Sequence, residues 1–395
     1  MPSSIFAQPI ERRFVNFSLE DGLSQSSILD IKQDALGYTW LATADGLNVF
    51  NGDKFEVFKK NPSDTNTLSD NFVYTILPFN NGKVWALTQD RVINEVDLKT
   101  KNVKHIALIN ELPEEMYSAN QMILGPNGNV WLSTLEKGIL ILNRQGKVIK
   151  TIDTNSGLVK SNYIQHLQIG KKYVWVSTNN GLSRIDKNLE KANHYFTGRM
   201  AGYALEFQNK LFLSFLDNGQ VIETSIGTPD QARDTLLQNS IISSIAAQKD
   251  GTIWLGSQLN GLYEVKNKTI YHYQKTQTDR WSLIDNNIFS LYSDNNNDIW
   301  VGTNNGLSIY KKAYNVFSLY RQNDNKNSLS SDQIYDIYED QIGTIWFINF
   351  EGGLDKLNNG KFTNYDISEK AGKGIGRLRS IHQSPNGSYY CGTIQ

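Results

Sequence analysis

The 395 residues contain a single cysteine, Cys391, which excludes an intramolecular disulfide framework and a cysteine-ligated metal site. A lone thiol of this kind reads as a buried strand residue. Proline is scarce, at eight residues, while aromatics are plentiful. Asn, Asp, Ser and Gly gather between short apolar runs, a composition of many strands and turns, so the chain reads as all-β. No apolar stretch approaches the ~18 residues needed to span a bilayer, so any membrane attachment would come from a segment outside this chain. Charge of neither sign prevails: 39 basic and 40 acidic residues leave a formal net charge of -1. That balance removes the electrostatic footprint of a nucleic-acid binder or of a protein held on an anionic membrane.

Catalytic and metal signatures are also missing. His105, His166, His194, His272 and His382 fall at unrelated offsets, with no ligand spacing and no nucleophile and base pairing. Asp294 to Asp298 starts like a calcium loop but lacks the sixth-position glycine and the distal glutamate. The loop Gly372-Lys373-Gly374-Ile375-Gly376 leads into a strand instead of a helix, which argues against a phosphate cradle. No cofactor is expected. At the N-terminus, Ser3 to Ala7 followed by Gln8-Pro9 resembles the end of a secretory signal peptide, without its charged and apolar regions.

What is present is a repeat. Trp40, Trp85, Trp131, Trp175, Trp254, Trp300 and Trp346 are separated by 45, 46, 44, 79, 46 and 46 residues. Phe212 divides the long gap, and Tyr390 follows Trp346 by 44 residues. Leucine stands seventeen residues before the marker at Leu23, Leu68, Leu158, Leu237, Leu283 and Leu329. Glycine stands three before it at Gly37, Gly82, Gly128, Gly251, Gly343 and Gly387, and a small hydroxyl three after it in most repeats. A second glycine follows six or seven residues after the marker, as at Gly46, Gly138 and Gly306. Each repeat therefore reads as four short antiparallel strands joined by glycine turns, the unit of a β-propeller blade. Within Ile253-Trp254-Leu255 the tryptophan faces one side and its neighbours the other, so the markers are expected to pack between blades.

These residues resemble the two-component regulator propeller repeat. The likeness is clearest at Leu283-Ile284-Asp285-Asn286-Asn287-Ile288-Phe289 with Asp298 to Leu307, at Leu68 to Val73, and from Leu329 to Leu354. It fades around residues 190 to 235. The family resemblance implies the extracytoplasmic sensor region of a bacterial hybrid two-component system or a related diguanylate cyclase. It implies two successive seven-bladed propellers, a periplasmic location, a homodimer, and an output module, histidine kinase or cyclase, elsewhere in the protein.

The expected organisation is a tail or signal-peptide remnant at 1–11, a propeller of seven four-stranded blades at 12–315, and the first blades of a second propeller at 316–395. The run Arg13 to Phe17 resembles an outer strand and is expected to complete blade seven and close the ring, leaving no open edge. A single eight-bladed ring is the alternative. A ligand is expected on the face formed by the loops entering the innermost strands and the turns between second and third strands. Candidate binding residues are Asp45, Asp70, Asn71, Asn162, Tyr163, Asn180, Gln258, Asn287 and Asn305, a rim of amides, carboxylates and one ring suited to sugar hydroxyls. The same residue types also serve turn geometry on their own account. The function expected is periplasmic sensing of an oligosaccharide or other small molecule. A carbohydrate-active enzyme on a propeller scaffold and a protein-interaction platform are the alternatives.

Overall fold

The computed structural model describes residues 12–112, 119–231, 233–315, 320–322, 327–350, 353–358, 360–365 and 377–394. The tail at 1–11 and the glycine-rich loop at 372–376 lie outside the described residues. The chain divides into two compact units, Met1–Val316 and Phe317–Gln395. In the first unit, β1 (Phe14–Phe17) precedes a four-stranded sheet of β2 (Ile28–Gln33), β3 (Thr39–Thr43), β4 (Gly46–Phe50) and β5 (Phe55–Phe58). Five more sheets of the same up-and-down order follow, with innermost strands at Val73–Pro78, Ala119–Leu124, Ile164–Ile169, Ala201–Phe207 and Ile242–Ala247. The seventh sheet has three consecutive strands, Ile288–Ser293, Ile299–Thr303 and Gly306–Tyr310, and takes β1 as its fourth. Each innermost strand packs on the next, and Ile288–Ser293 packs on β2, so the seven sheets form a closed ring.

The spacing of the markers has a direct physical origin. Trp40, Trp85, Trp131, Trp175, Trp254 and Trp300 are all buried in the second strands, and Phe212 fills the same slot in blade five. Alternation along the strand sends Trp254 into the core shared with blade seven, while Ile253 and Leu255 enter the core shared with blade five. The leucine seventeen residues earlier is buried wherever it occurs, and Leu23, Leu68, Leu158, Leu237 and Leu283 each join an inter-blade core.

The turn before the marker needs positive φ, supplied by glycine at Gly37, Gly82, Gly128 and Gly251. Asn209 (φ 62°) and Asn297 (φ 69°) replace glycine in two blades, asparagine being the residue that best tolerates this region. At Gly138 a Cβ atom would lie 2.2 Å from the Ile152 carbonyl oxygen, so only glycine fits. The hydroxyl after the marker holds the next turn: Thr43, Thr134, Thr178 and Thr303 each donate to the carbonyl of the second glycine at 2.7–2.9 Å.

One further offset carries the fold and went unread in the sequence. Six residues before the marker, Asp34, Asp294 and Asp340 accept the indole N–H of Trp40, Trp300 and Trp346 at 2.8–2.9 Å through one carboxyl oxygen. Their other oxygen takes two backbone N–H groups of the adjoining turn. Asp294 is thus the tie of a hairpin, which accounts for the segment that starts like a calcium loop. Gln248 takes the indole N–H of Trp254 at 2.9 Å in the same way, while its amide nitrogen donates to Asn297 O of the next blade at 2.6 Å.

β1 closes the ring by pairing Phe14 with Tyr310 through Phe17 with Leu307. Phe14 is buried against Trp254 and Tyr273. Arg12 forms a bidentate pair with the buried Glu264 at 2.8 and 3.1 Å, and the Tyr273 hydroxyl donates to the same carboxylate at 2.8 Å.

The second unit has a four-stranded sheet, Ile334–Glu339, Ile345–Asn349, Leu354–Asn358 and Lys361–Tyr365, and a two-stranded sheet, Arg377–Gln383 with Tyr389–Ile394. Cys391 lies in the last of these strands but is exposed, contrary to the buried position expected from sequence. Cys391 stands opposite Ile381 on the outer of the two strands, and among the described residues no third strand pairs with that outer strand to cover it.

Burial pushes the Asp340 carboxyl up, but the Tyr389 hydroxyl, the Trp346 indole and two turn N–H groups outweigh it and hold the group down at about 2. A carboxyl depressed on folding contributes stability above its unfolded pKa of about 3.9. The second unit should therefore lose stability as pH falls from about 4 toward 2. Near-ultraviolet dichroism across that window reads the loss, and Asp340→Asn should flatten the acid step. An unchanged step in that variant would place the acid sensitivity elsewhere.

Candidate functional site

The candidate rim residues all lie at the end of the ring where strand-entry loops meet second-to-third-strand turns. There the turn of one blade is tied to the entry loop of the next by backbone bonds: Gly46 N–H to Asn71 O, Gly138 to Asn162, Gly261 to Asn286 and Gly306 to Ser26, at 2.7–3.0 Å. Asn71 and Asn162 also use their side-chain oxygens, accepting the N–H of Lys60 at 2.8 Å and of Thr154 at 2.9 Å. Asn180 accepts from Gly198 N–H at 2.8 Å and donates to Lys160 O at 3.3 Å. Asp70 caps Phe72 N–H at 2.9 Å, and Asp45 pairs with Lys59 at 2.6 Å. The Tyr163 hydroxyl donates to Glu136 at 3.2 Å, with the ring partly exposed. Gln258, Asn287 and Asn305 enter through backbone bonds to Ile241 O, Asn304 N–H and the Thr303 hydroxyl. The structure places the nine on one face and spreads them around the ring, each tied first to its own or the adjoining loop.

A second polar set sits at the axis, on the innermost strands. Each of these strands bulges near its start, as between Ile28 and Asp30 or Ile164 and His166. The residue after the bulge reaches the next blade. Asp30 accepts from Ile76 N–H at 3.1 Å and the Thr75 hydroxyl at 2.8 Å; Thr75 in turn accepts from Met122 N–H at 3.1 Å. Gln121 accepts from Leu167 N–H at 2.9 Å and Ser244 from Leu291 N–H at 3.0 Å. Ser290 donates to Ile28 O at 3.2 Å and completes the circuit. In the second unit Asp336 repeats the bond to Ile381 N–H at 2.9 Å.

Blades four and five break this pattern. The equivalent positions hold His166 and Tyr203, whose rings lie against each other with centroids 4.3 Å apart and planes tilted by 32°. His166 Nδ1 is buried with no hydrogen-bond partner among the described residues. Across the axis, Lys32 is held by Asp30 at 2.6 Å. Burial, reinforced by the Lys32 charge, drives the His166 imidazole down to about 3, and burial pushes the Tyr203 hydroxyl up. Both groups are therefore uncharged at physiological pH and offer hydrogen bonds and ring faces. His105, His194 and His272 instead tie outer strands to loop carbonyls of Thr67, Gly157 and Asn260.

The His166 position has a measurable consequence. A base whose pKa falls on folding contributes stability above its unfolded value, about 6.5, and that stability is lost as pH falls toward the folded value of about 3. His166→Gln places at this position the residue found in blade three, where its carbonyl accepts from the next blade. The urea midpoint of the variant should fall less than that of the parent between pH 7 and 4. Parallel declines would show that His166 is not titrating in a buried site.

The seven sheets make a closed β-propeller with polar loops gathered at one end. Residues 282–305 match the two component regulator propeller family, so the chain carries the repeat of that family. A segment of 66 residues is 46% identical to histidine kinase P4 of Formosa agariphila, covering 17% of this chain and 5% of that protein. The extracellular domain of a hybrid two component system from B. thetaiotaomicron aligns over 97% of this chain and 52% of its own, at 20% identity and TM-score 0.77. A second such domain from the same organism aligns with TM-score 0.62. Virginiamycin B lyase of Staphylococcus aureus shares the fold over 76% of this chain, at 15% identity and TM-score 0.59. The chain spans about half the length of the two-component structures it matches.

Proposed function

We propose that this chain is the ligand-recognising, extracytoplasmic part of a membrane-bound two-component receptor, detecting an oligosaccharide or another small molecule and regulating a cytoplasmic output module. The observation that carries the reading is the family's own repeat at 282–305 within a fold that follows an extracellular two-component domain over nearly the whole chain. A periplasmic location, a homodimeric working unit and a histidine kinase or diguanylate cyclase as output belong to the same reading. The uncharged His166 and Tyr203 pair and the amide-rich rim suit a polyhydroxylated ligand, for which hydrogen bonds and a ring face matter more than charge.

The test uses the full-length receptor in right-side-out membrane vesicles. Oligosaccharide added outside should change phosphorylation or cyclic dinucleotide synthesis inside, and protease added outside should cleave this chain. A chain protected from external protease, or an output indifferent to every external glycan and small molecule supplied, would overturn the proposal.

A further inference from the structure

The end of the ring opposite the rim carries a groove of about 580 Å³ between blades one and two, formed by the first-to-second-strand and third-to-fourth-strand turns of each. That volume falls within the range of small-molecule sites. Its floor is apolar, made by Tyr38, Val49 and Leu98, and Leu36 reaches from blade one to the turn at Gly82 in blade two.

The polar groups around this floor are unbalanced toward donors. Asn51 spends its side-chain oxygen on the N–H groups of Asp53 and Lys54, and Asn81 spends its own on Lys83 N–H. One oxygen of Asp97 is likewise taken by the N–H groups of Lys99 and Thr100. Glu56 is matched by Lys101 across the two blades at 2.5 Å. The side-chain amide nitrogens of Asn51 and Asn81 and the ammonium groups of Lys54 and Lys99 have no hydrogen-bonded or ion-paired partner among the described residues. Three lysines therefore face two carboxylates over an apolar floor.

We infer that this groove is a binding site for a small ring-bearing carboxylate, such as a uronic acid residue, whose ring lies on Tyr38 and Leu98 and whose carboxylate is held by Lys54 and Lys99. An ammonium paired with a ligand carboxylate gives a charge-assisted hydrogen bond stronger than a neutral one. The amides of Asn51 and Asn81 supply donors to further ligand oxygens. The inference stands apart from the receptor reading, since a receptor whose ligand docks on the opposite face would leave this groove empty.

Isothermal titration of the 395-residue chain with p-nitrophenyl β-D-glucuronide, and with p-nitrophenyl β-D-glucoside as its uncharged counterpart, tests the site. The glucuronide should bind saturably at one site, with the glucoside at least about tenfold weaker. The double variant Lys54→Ala, Lys99→Ala should bring the glucuronide to the level of the glucoside. Its melting temperature should stay that of the parent, since both ammonium groups are exposed and unpaired. Equal affinity for the two sugars, glucuronide affinity unchanged in the double variant, or no glucuronide binding at about 1 mM would each overturn the inference.

Discussion

Replacing Arg12 by alanine is expected to destabilise the ring by about 3–5 kcal/mol, because it strands a buried carboxylate. The Glu264 side chain is only 2% exposed and takes both guanidinium contacts, leaving the Tyr273 hydroxyl alone to satisfy it. The pair sits beside the single strand that joins the N-terminus to blade seven, so its loss loosens the closure itself. Adding Glu264→Gln to Arg12→Ala should recover a large part of the loss, since the penalty belongs to the unpaired charge. Urea unfolding of the three variants reads this cycle directly. A double variant no more stable than Arg12→Ala would mean that the guanidinium acts through packing on Tyr310 and not through its ion pair.

A loss of similar size, about 3–5 kcal/mol, is expected for Trp254→Ala, a large buried side chain removed from a well-packed core. Trp254 is fully buried, packs on Tyr273 and Tyr310, and gives its indole N–H to Gln248 at 2.9 Å. Trp254→Phe keeps most of the packing and forfeits the hydrogen bond, a cost of about 1–3 kcal/mol. Phe212 shows that the slot accepts a phenyl ring, and there the residue six earlier, Glu206, accepts the indole N–H of Trp175 from the preceding blade at 2.6 Å. Urea midpoints of the two variants separate packing from hydrogen bonding. Equal costs would assign the whole effect to the indole N–H.

These expectations follow from features of unequal visibility in the sequence. The marker tryptophans, the leucines and the paired glycines were readable because each does a job that few residue types can do: fill a large inter-blade slot, plug a core, or adopt positive φ. The closing strand was readable because Phe14-Val15-Asn16-Phe17 resembles the outer strand Phe55-Glu56-Val57-Phe58, with a phenylalanine at each end. The axial circuit was not. Its positions hold Asp30, Thr75, Gln121, Ser244 and Ser290, since several kinds of polar side chain make the bond, and His166 and Tyr203 in the two blades where it is replaced by a ring contact. The shorter turn before Trp175 also shifts His166 by one residue from its equivalents.

The aspartates six residues before Trp40, Trp300 and Trp346 did carry a signal at fixed offset. It is diluted by Gly125, where a Cβ atom would strike the Trp131 indole at 2.1 Å. The candidate site was legible only as a face. Turn geometry selects the same Asn, Asp and Ser that ligand binding would, and the structure shows Asn71, Asn162 and Asn180 already committed to neighbouring loops. The groove between blades one and two was invisible because its lysines sit in turns of ordinary composition, and only the fold brings Lys54 and Lys99 to one floor.

Recognition without turnover is the centre of the account, and the shared fold of the lyase makes it the point to test. Thermal unfolding of the chain against a panel of neutral and acidic oligosaccharides, with chromatography of each glycan afterwards, tests it most directly. A ligand held at about 100 times its dissociation constant adds about 2.7 kcal/mol to the native state. The account predicts an upward shift with one glycan class and full recovery of that glycan at its original length. A shortened or eliminated product would contradict it and make the protein an enzyme.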